Sequence, residues 1–371
     1  MLKSGRICMR AAVCRNFNQP LQIEEVFLAP PEEGEVRVRL SACAICHSDI
    51  TYMDGGWGGT LPMVLGHEAA GEVAEIGAGV RNLAVGDHVL VTLIRSCGHC
   101  ADCERGEPYI CGTPFPIDDN SRLTSVDGEI IVQGLRTGAF AEEVVVDQSQ
   151  LVVIPKNLPM DAASLLSCGV ITGLGAVVNT AEVRHGASVI VIGCGGVGLN
   201  AVQGAALVNA DPVIAMDLVE KKLEAARNFG ATHVINPLAN DAMQQTRGLT
   251  NGRGADYVFV ATGSSKAFEH GLELLAPAGT LVIVGMPPTG QKIAVEAGNI
   301  AGASQKILGS KMGSTRLRED IPKLIALYES GRLKLDELIT GRYPLEEINH
   351  AIDEVRADKA LRNVIIFGKT S

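Results

Sequence analysis

The first half of the chain alternates apolar and polar positions in short runs separated by glycine-rich turns. "EVRVRLSAC" (35–43), "AGEVAEIGAGV" (70–80), "GDHVLVTLI" (86–94), "FAEEVVVD" (140–147) and "LVVIP" (151–155) share this texture. A period of two marks strands with one buried face. No long helical period interrupts the runs, so they predict an antiparallel, barrel-like domain.

The pattern changes near residue 160. "DAASLLSCGVITGLGAVVN" (161–179) reads as helical, with Asp161 as its N-cap. Alternating units follow: the apolar run "ASVIVIG" and the helix "VGLNAVQGAALVN", then "PVIAMD" and "VEKKLEAARNFG", then "DYVFVATG" and "SKAFEHGLELLA", closed by "GTLVIVG". Strands buried on both faces and alternating with helices predict a doubly wound parallel sheet. The tail carries one amphipathic helix, "DIPKLIALYESG", and ends in the strand-like "RNVIIFG", which need not belong to that sheet.

Composition narrows the function classes. A chain of 371 residues exceeds the usual size of one hydrophobic core, so two domains are expected. A net charge of −10 argues against nucleic acid or an anionic membrane as the main partner. No apolar run reaches the length of a membrane span, and "MLKSGRICMRAAV" lacks the apolar core of a signal peptide. The expected location is therefore the cytoplasm, where thiols stay reduced. "MRAAV" at Met9 also reads as a natural start, which would make Met1 to Cys8 an extension.

"VIGCGGVG" sets Gly193, Gly195 and Gly198 in a G-x-G-x-x-G pattern, with Gly196 and Val197 inside it, between a predicted strand and a predicted helix. That context suits a dinucleotide pyrophosphate at the helix N-terminus. Asp217 ends the next strand, where a carboxylate accepts from a ribose diol and repels a 2′-phosphate, so NAD is expected. Lys222 either flanks the same ribose or adenine edge, or is a solvated helix lysine.

"CGHCADCERGEPYIC" packs Cys97, Cys100, Cys103 and Cys111 into one short stretch. In a reducing compartment a disulfide framework or a redox pair is disfavoured, and four thiolates make a closed structural zinc site. His99 reads as an exposed loop residue. Cys46, His67 and Cys168 lie in "CAICHSD", "GHEAAG" and "LLSCGVITG", each ambiguous alone. Together they would give two thiolates and an imidazole with a fourth position open, the catalytic arrangement, and Asp49 would fix the His67 tautomer. Cys43 with Cys46 also spells C-x-x-C, but no thioredoxin-like βαβ context surrounds it.

Over essentially its whole length the chain resembles a zinc-dependent alcohol dehydrogenase of the medium-chain dehydrogenase/reductase family. "GHEAAGEVAEIGAGV" (66–80) fits that family's zinc signature, and the cysteine lobe, "SCGVITGLG" and "VIGCGGVG" follow in its order and spacing. The resemblance implies a GroES-like β-rich catalytic domain (1–166, with the zinc lobe at 97–111), a Rossmann NAD-binding domain (167–306) and a C-terminal segment (307–371) completing the first. It implies two zinc ions, with Cys46, His67 and Cys168 as catalytic ligands and Glu68 behind the metal, able to exchange onto it. Ser48 would bond the alcohol, His47 and Arg362 would face the pyrophosphate, and Thr172, Val197 and Val284 would line the nicotinamide. Trp57, Leu93, Phe140 and Met312 would line the substrate pocket or serve as plain core. Many relatives end a proton relay in a histidine where this chain has Thr51.

The activity so implied is interconversion of a small-molecule alcohol and its aldehyde or ketone, by a homodimer or homotetramer paired near "GTLVIVGMPP". Leu93, where an aromatic ring often sits, leaves room for a branched or aromatic alcohol. S-(hydroxymethyl)glutathione is the alternative substrate, although the charged residues that bind glutathione are not evident around 55–60 or 112–118. A zinc- and nucleotide-binding protein without activity is the non-enzyme alternative, and it has no need of an open metal position.

Overall fold

The strand Glu35–Ala44 shows how alternation becomes packing. Val36, Val38 and Leu40 are buried, while the intervening Arg37 reaches Glu75 and Glu143 and Arg39 reaches Glu143. A strand that sends successive side chains to opposite faces yields this division directly. The computed structural model describes residues 5–368. Two compact units divide the chain: the first takes everything up to Cys168 together with Arg316–Ala326 and the segment from Leu335 on; the second takes Gly169–Thr315 and Leu327–Lys334. Residues 1–4 of the possible N-terminal extension lie outside the described residues, and Ile7–Cys14 is already a strand.

In the first unit, Ile7–Cys14, Gln22–Leu28, Leu123–Ser125, Ile130–Gln133 and Met63–Val64 close a small barrel. Beside it runs a seven-stranded sheet in the order Leu151–Val153, His88–Thr92, Glu68–Ile76, Glu35–Ala44, Arg362–Ile366, Ile339–Pro344, with Glu143–Asp147 also paired to Glu35–Ala44. The C-terminal "RNVIIFG" thus joins the first unit, where Ile366 lies opposite Ala42 and Ala44 opposite Glu68. That register brings the start of strand Glu68–Ile76 and the start of strand Arg362–Ile366 to one end of the sheet.

The predicted helix from Asp161 is split. Met160–Leu165 is capped by Pro159, not Asp161, whose carboxylate accepts from the Ala162 N–H and from Arg342. A turn at 166–168 then interrupts the helix, and the buried Ser167 hydroxyl donates to the Ala69 carbonyl. The helical pattern resumes as Gly169–Gly175 in the second unit. Cys168 occupies the bend because the chain changes units there.

The second unit is a six-stranded parallel sheet in the order His233–Ile235, Val213–Met216, Val189–Ile192, Ala255–Val260, Leu275–Ile283, Lys306–Gly309. The order reverses between Val189–Ile192 and Ala255–Val260, the switch point at which such sheets bind dinucleotides. "GTLVIVG" is an interior strand, and the edge of the sheet on that side is Lys306–Gly309. Among the described residues no helix is long and apolar enough to cross a membrane.

Candidate active site and metal centres

Cys46 precedes the short helix His47–Met53, His67 immediately precedes and Glu68 opens the strand Glu68–Ile76, and Cys168 sits on the bend just described. Their ligand atoms all lie within 4.8 Å of one another, and all four side chains are buried. Asp49 organises the group. Its Oδ1 accepts from the Gly66 N–H at 2.9 Å and meets His67 Nδ1 at 3.0 Å, while its Oδ2 accepts from the Cys46 N–H at 3.1 Å. One carboxylate therefore fixes two of the ligand-bearing segments. It also holds the proton on Nδ1, so His67 Nε2 is left buried with no hydrogen-bond partner among the described residues.

An orphaned nitrogen of that kind is costly unless something occupies its lone pair. A zinc ion would do so, with the two sulfurs supplying the rest of the donor set. Cys46 is held well below the usual thiol range, chiefly by a hydrogen bond from Cys168 and despite burial, while the Cys168 thiol is pushed up by that same bond and by burial. Burial alone would lower the His67 imidazole, but the Asp49 carboxylate and the Cys46 sulfur together raise its basicity. Greater basicity makes His67 a better ligand. Burial pushes Glu68 up to about 8 against the opposing charge of Arg362. The Arg362 guanidinium donates through Nη2 to both Glu68 oxygens, at 2.8 and 3.0 Å, and through Nη1 to the Ile45 carbonyl at 3.1 Å. With Glu68 held by arginine, Cys46, His67 and Cys168 are the set that fits a three-ligand zinc.

The second cluster joins Cys97, Cys100, Cys103 and Cys111, again with ligand atoms within 4.8 Å. Sulfur pairs stand at 3.8 Å (Cys100–Cys111 and Cys111–Cys97), far beyond the ~2.05 Å of a disulfide. Backbone N–H groups point at sulfur, from Cys97 to Cys111 and from Cys100 to Cys97. The Thr113 hydroxyl donates to Cys97 Sγ at 3.2 Å, the main reason that thiol is pulled down to about 6. Burial pushes Cys103 up to about 12. His99 is exposed and turns its Nδ1 to the Cys97 carbonyl, so it is no ligand. Thr113 had no place in the sequence reading, nor had Arg95, which is buried, pairs with Asp118 and stacks 4.4 Å over Phe115.

In the second unit the turn after strand Val189–Ile192 opens the helix Gly196–Leu207. A Cβ on Gly198 would fall 1.7 Å from the Gly193 carbonyl oxygen, so only glycine allows this approach. Asp217 braces the loop, its Oδ2 accepting from the Cys194 N–H at 2.7 Å and its Oδ1 from the Val219 N–H at 2.9 Å. Lys222 is 9% exposed and lies near the Cys194 sulfur, so it is not a solvated helix lysine.

The pattern for "Alcohol dehydrogenase GroES-like domain" matches residues 32–156, and that for "Zinc-binding dehydrogenase" matches residues 196–330. The chain belongs to the zinc-dependent alcohol dehydrogenases. It is 35% identical to the alcohol dehydrogenase class-3 of Cereibacter sphaeroides, over 96% of this chain and 99% of that one. It is equally similar, at 35% over the same shares, to the S-(hydroxymethyl)glutathione dehydrogenase of Paracoccus denitrificans. Among solved structures, the benzyl alcohol dehydrogenase of Acinetobacter calcoaceticus superposes with a TM-score of 0.90 at 30% identity, covering 98% of this chain and all of that one.

This alcohol dehydrogenase is accordingly a mixed α/β enzyme of the medium-chain dehydrogenase/reductase family that uses NAD and two zinc ions. Its remaining expected site residues are distributed as follows. On helix His47–Met53, His47 is exposed, Ser48 is half-buried, and the Thr51 hydroxyl donates to the His47 carbonyl at 3.0 Å. Trp57 is half-buried, edge-on to Tyr52. Leu93 is half-buried just past the strand His88–Thr92, whereas Phe140 is wholly enclosed in the hydrophobic core of the first unit. Val197 is half-buried in the first turn of helix Gly196–Leu207, and Val284 is buried just past strand Leu275–Ile283. Thr172 and Met312 touch, hydroxyl to sulfur, at 3.7 Å.

Proposed function

We propose that Cys46, His67 and Cys168 hold the catalytic zinc of an NAD-dependent dehydrogenase for hydrophobic primary alcohols with a branched or aromatic substituent. The buried Nε2 of His67, without a hydrogen-bond partner beside two thiols that hydrogen-bond to each other, carries this reading. A zinc ion at that set acts as a Lewis acid that lowers the pKa of an alcohol, and NAD is the hydride acceptor. Ser48 takes the hydroxyl proton and hands it on. Since the Thr51 hydroxyl is committed to the His47 carbonyl, the proton leaves through solvent rather than through residue 51. Asp217 accepts from the adenosine ribose while it braces the glycine turn, and Glu68 stays with Arg362 as the neutralised back wall of the metal site.

Leu93 supports the substrate assignment, because an aliphatic side chain there leaves the volume an aromatic ring would fill. The benzyl alcohol dehydrogenase similarity points the same way. The class-3 relatives favour S-(hydroxymethyl)glutathione instead. Against it stand Gly55, Gly56, Trp57, Gly58 and Gly59, which offer no charge, and Asp118, which is already paired with Arg95. The enzyme is further read as a cytoplasmic homo-oligomer that pairs through the edge strand Lys306–Gly309. A panel of primary, secondary, benzylic and branched alcohols with hydroxymethylglutathione alongside, scored by NADH formation, tests the proposal. The highest kcat/KM should fall on a benzylic or branched primary alcohol. A clear preference for the glutathione adduct would replace the substrate assignment, and no NADH from any of them would overturn the reading.

A further inference from the structure

After the edge strand Lys306–Gly309 the chain passes through three consecutive left-handed residues, Met312 at φ 51°, Gly313 at 64° and Ser314 at 49°. Residues with a Cβ avoid this region because the Cβ crowds the carbonyl that follows. Two of them flanking a glycine persist only when the surroundings determine the backbone. Here the surroundings do. Asn179 Nδ2 donates to the Gly313 carbonyl at 3.3 Å, and the Thr180 hydroxyl shares hydrogen bonds with Ser310 at 2.9 Å and Ser314 at 2.8 Å. The Thr315 hydroxyl reaches the Ile171 carbonyl at 3.5 Å.

The turn backs directly onto the helix Gly169–Gly175. A Cβ at Gly313 would lie 2.0 Å from the Ile171 oxygen, and one at Gly175 would lie 2.4 Å from the Gly313 oxygen. On the glycine-loop side the same helix is equally close, since a Cβ at Gly173 would fall 2.1 Å from the Val197 oxygen. The helix is therefore clamped between the dinucleotide turn and the left-handed turn. The strained backbone brings Met312 over the helix, so that Sδ accepts from Thr172 Oγ1 at 3.7 Å, with both residues 8% exposed.

The geometry points to Met312 as a positioning residue that acts through Thr172 to order the nicotinamide end of the cofactor site. The inference rests on the reading that Thr172 lines the nicotinamide. The threonine hydroxyl donates to the sulfur, and the left-handed turn fixes the backbone that carries that sulfur. Neither residue alone gives that arrangement, so their contributions are coupled.

NADH binding followed by fluorescence titration, with no alcohol present, reads this coupling. Met312→Leu keeps the volume and removes the acceptor, a class of change that cores tolerate. It should raise the Kd for NADH about threefold to tenfold, the range of one lost hydrogen bond. Thr172→Val should do the same, the double variant should be no weaker than either single one, and Thr172→Ser should restore wild-type binding. An unchanged Kd in Met312→Leu, or effects that simply add in the double variant, would overturn the inference. Because the titration needs no turnover, failure of every alcohol in the substrate panel would defeat the proposed function while leaving this result interpretable.

Discussion

Asp49 Oδ1 and His67 Nδ1 meet at 3.0 Å with both side chains sealed from solvent. The same carboxylate takes the N–H groups of Cys46 and Gly66, so one side chain orders both metal-facing segments. Asp49→Asn exchanges one oxygen for a donor that cannot serve both the imidazole and two N–H groups. Zinc affinity at this site should fall about 10- to 100-fold, the usual cost of losing the group that orients a histidine ligand. After dialysis against a weak chelator, the variant should keep one zinc per chain where the wild type keeps two, as judged by metal analysis.

The role of Asp217 is double, and its substitution should show it. One of its oxygens accepts from the Cys194 N–H in the glycine turn and the other from the Val219 N–H in its own loop. Asp217→Ala therefore removes the partners of two N–H groups as well as the acceptor for the ribose. The KM for NAD should rise about tenfold or more. No compensating gain should appear with NADP, because the variant loses loop order rather than merely a repulsive charge. A variant that used NADP as well as the wild type uses NAD would show that Asp217 acts on the ribose alone.

How much of this was legible beforehand depended on whether a signal was local. The strand–glycine–helix unit around Gly193 to Gly198 could be read because period, turn chemistry and spacing all fall within a few residues. The cysteine lobe could be read for the same reason. The bend at Cys168 could not, because Asp161 looks like a helix cap and the pattern runs unbroken to Asn179; the interruption comes from a long-range bond between Ser167 and Ala69. Arg362 likewise carries no local mark of its partner Glu68, 294 residues away, since only the sheet register brings them together. The left-handed run at Met312–Ser314 is equally invisible, as methionine and serine give no sign of positive φ.

The cysteine lobe is latched to its flanks by Arg95, which pairs with Asp118 and covers Phe115. Loss of the metal and loss of the latch should therefore each open the lobe. Cys111→Ser removes one of the four thiolates and is expected to leave one zinc per chain. Limited proteolysis should then cut within residues 95–119, a stretch expected to resist cleavage in the wild type. Arg95→Met should keep both zinc ions and yet open the same stretch, since the latch and not the metal has been removed. Protection equal to wild type in both variants would show that the lobe needs neither.

Leu93 and Phe140 separate a specificity residue from a structural one. Leu93 is half-buried beyond the end of its strand, so a larger side chain there can be accommodated without rebuilding the core. Phe140 has no exposed surface, and its backbone is fixed by bonds to Leu65 and Ala12. Leu93→Phe should therefore leave the thermal midpoint nearly unchanged and shift the kcat/KM ratio of a benzylic alcohol to ethanol towards ethanol by about 10- to 100-fold, the range a pocket volume change supplies. Phe140→Ala should cost about 3–5 kcal/mol of stability, as large-to-small core changes do, with any loss of activity following the loss of fold. A Leu93→Phe enzyme with an unaltered ratio would remove this residue from the substrate pocket and, with it, the reason for expecting a bulky alcohol.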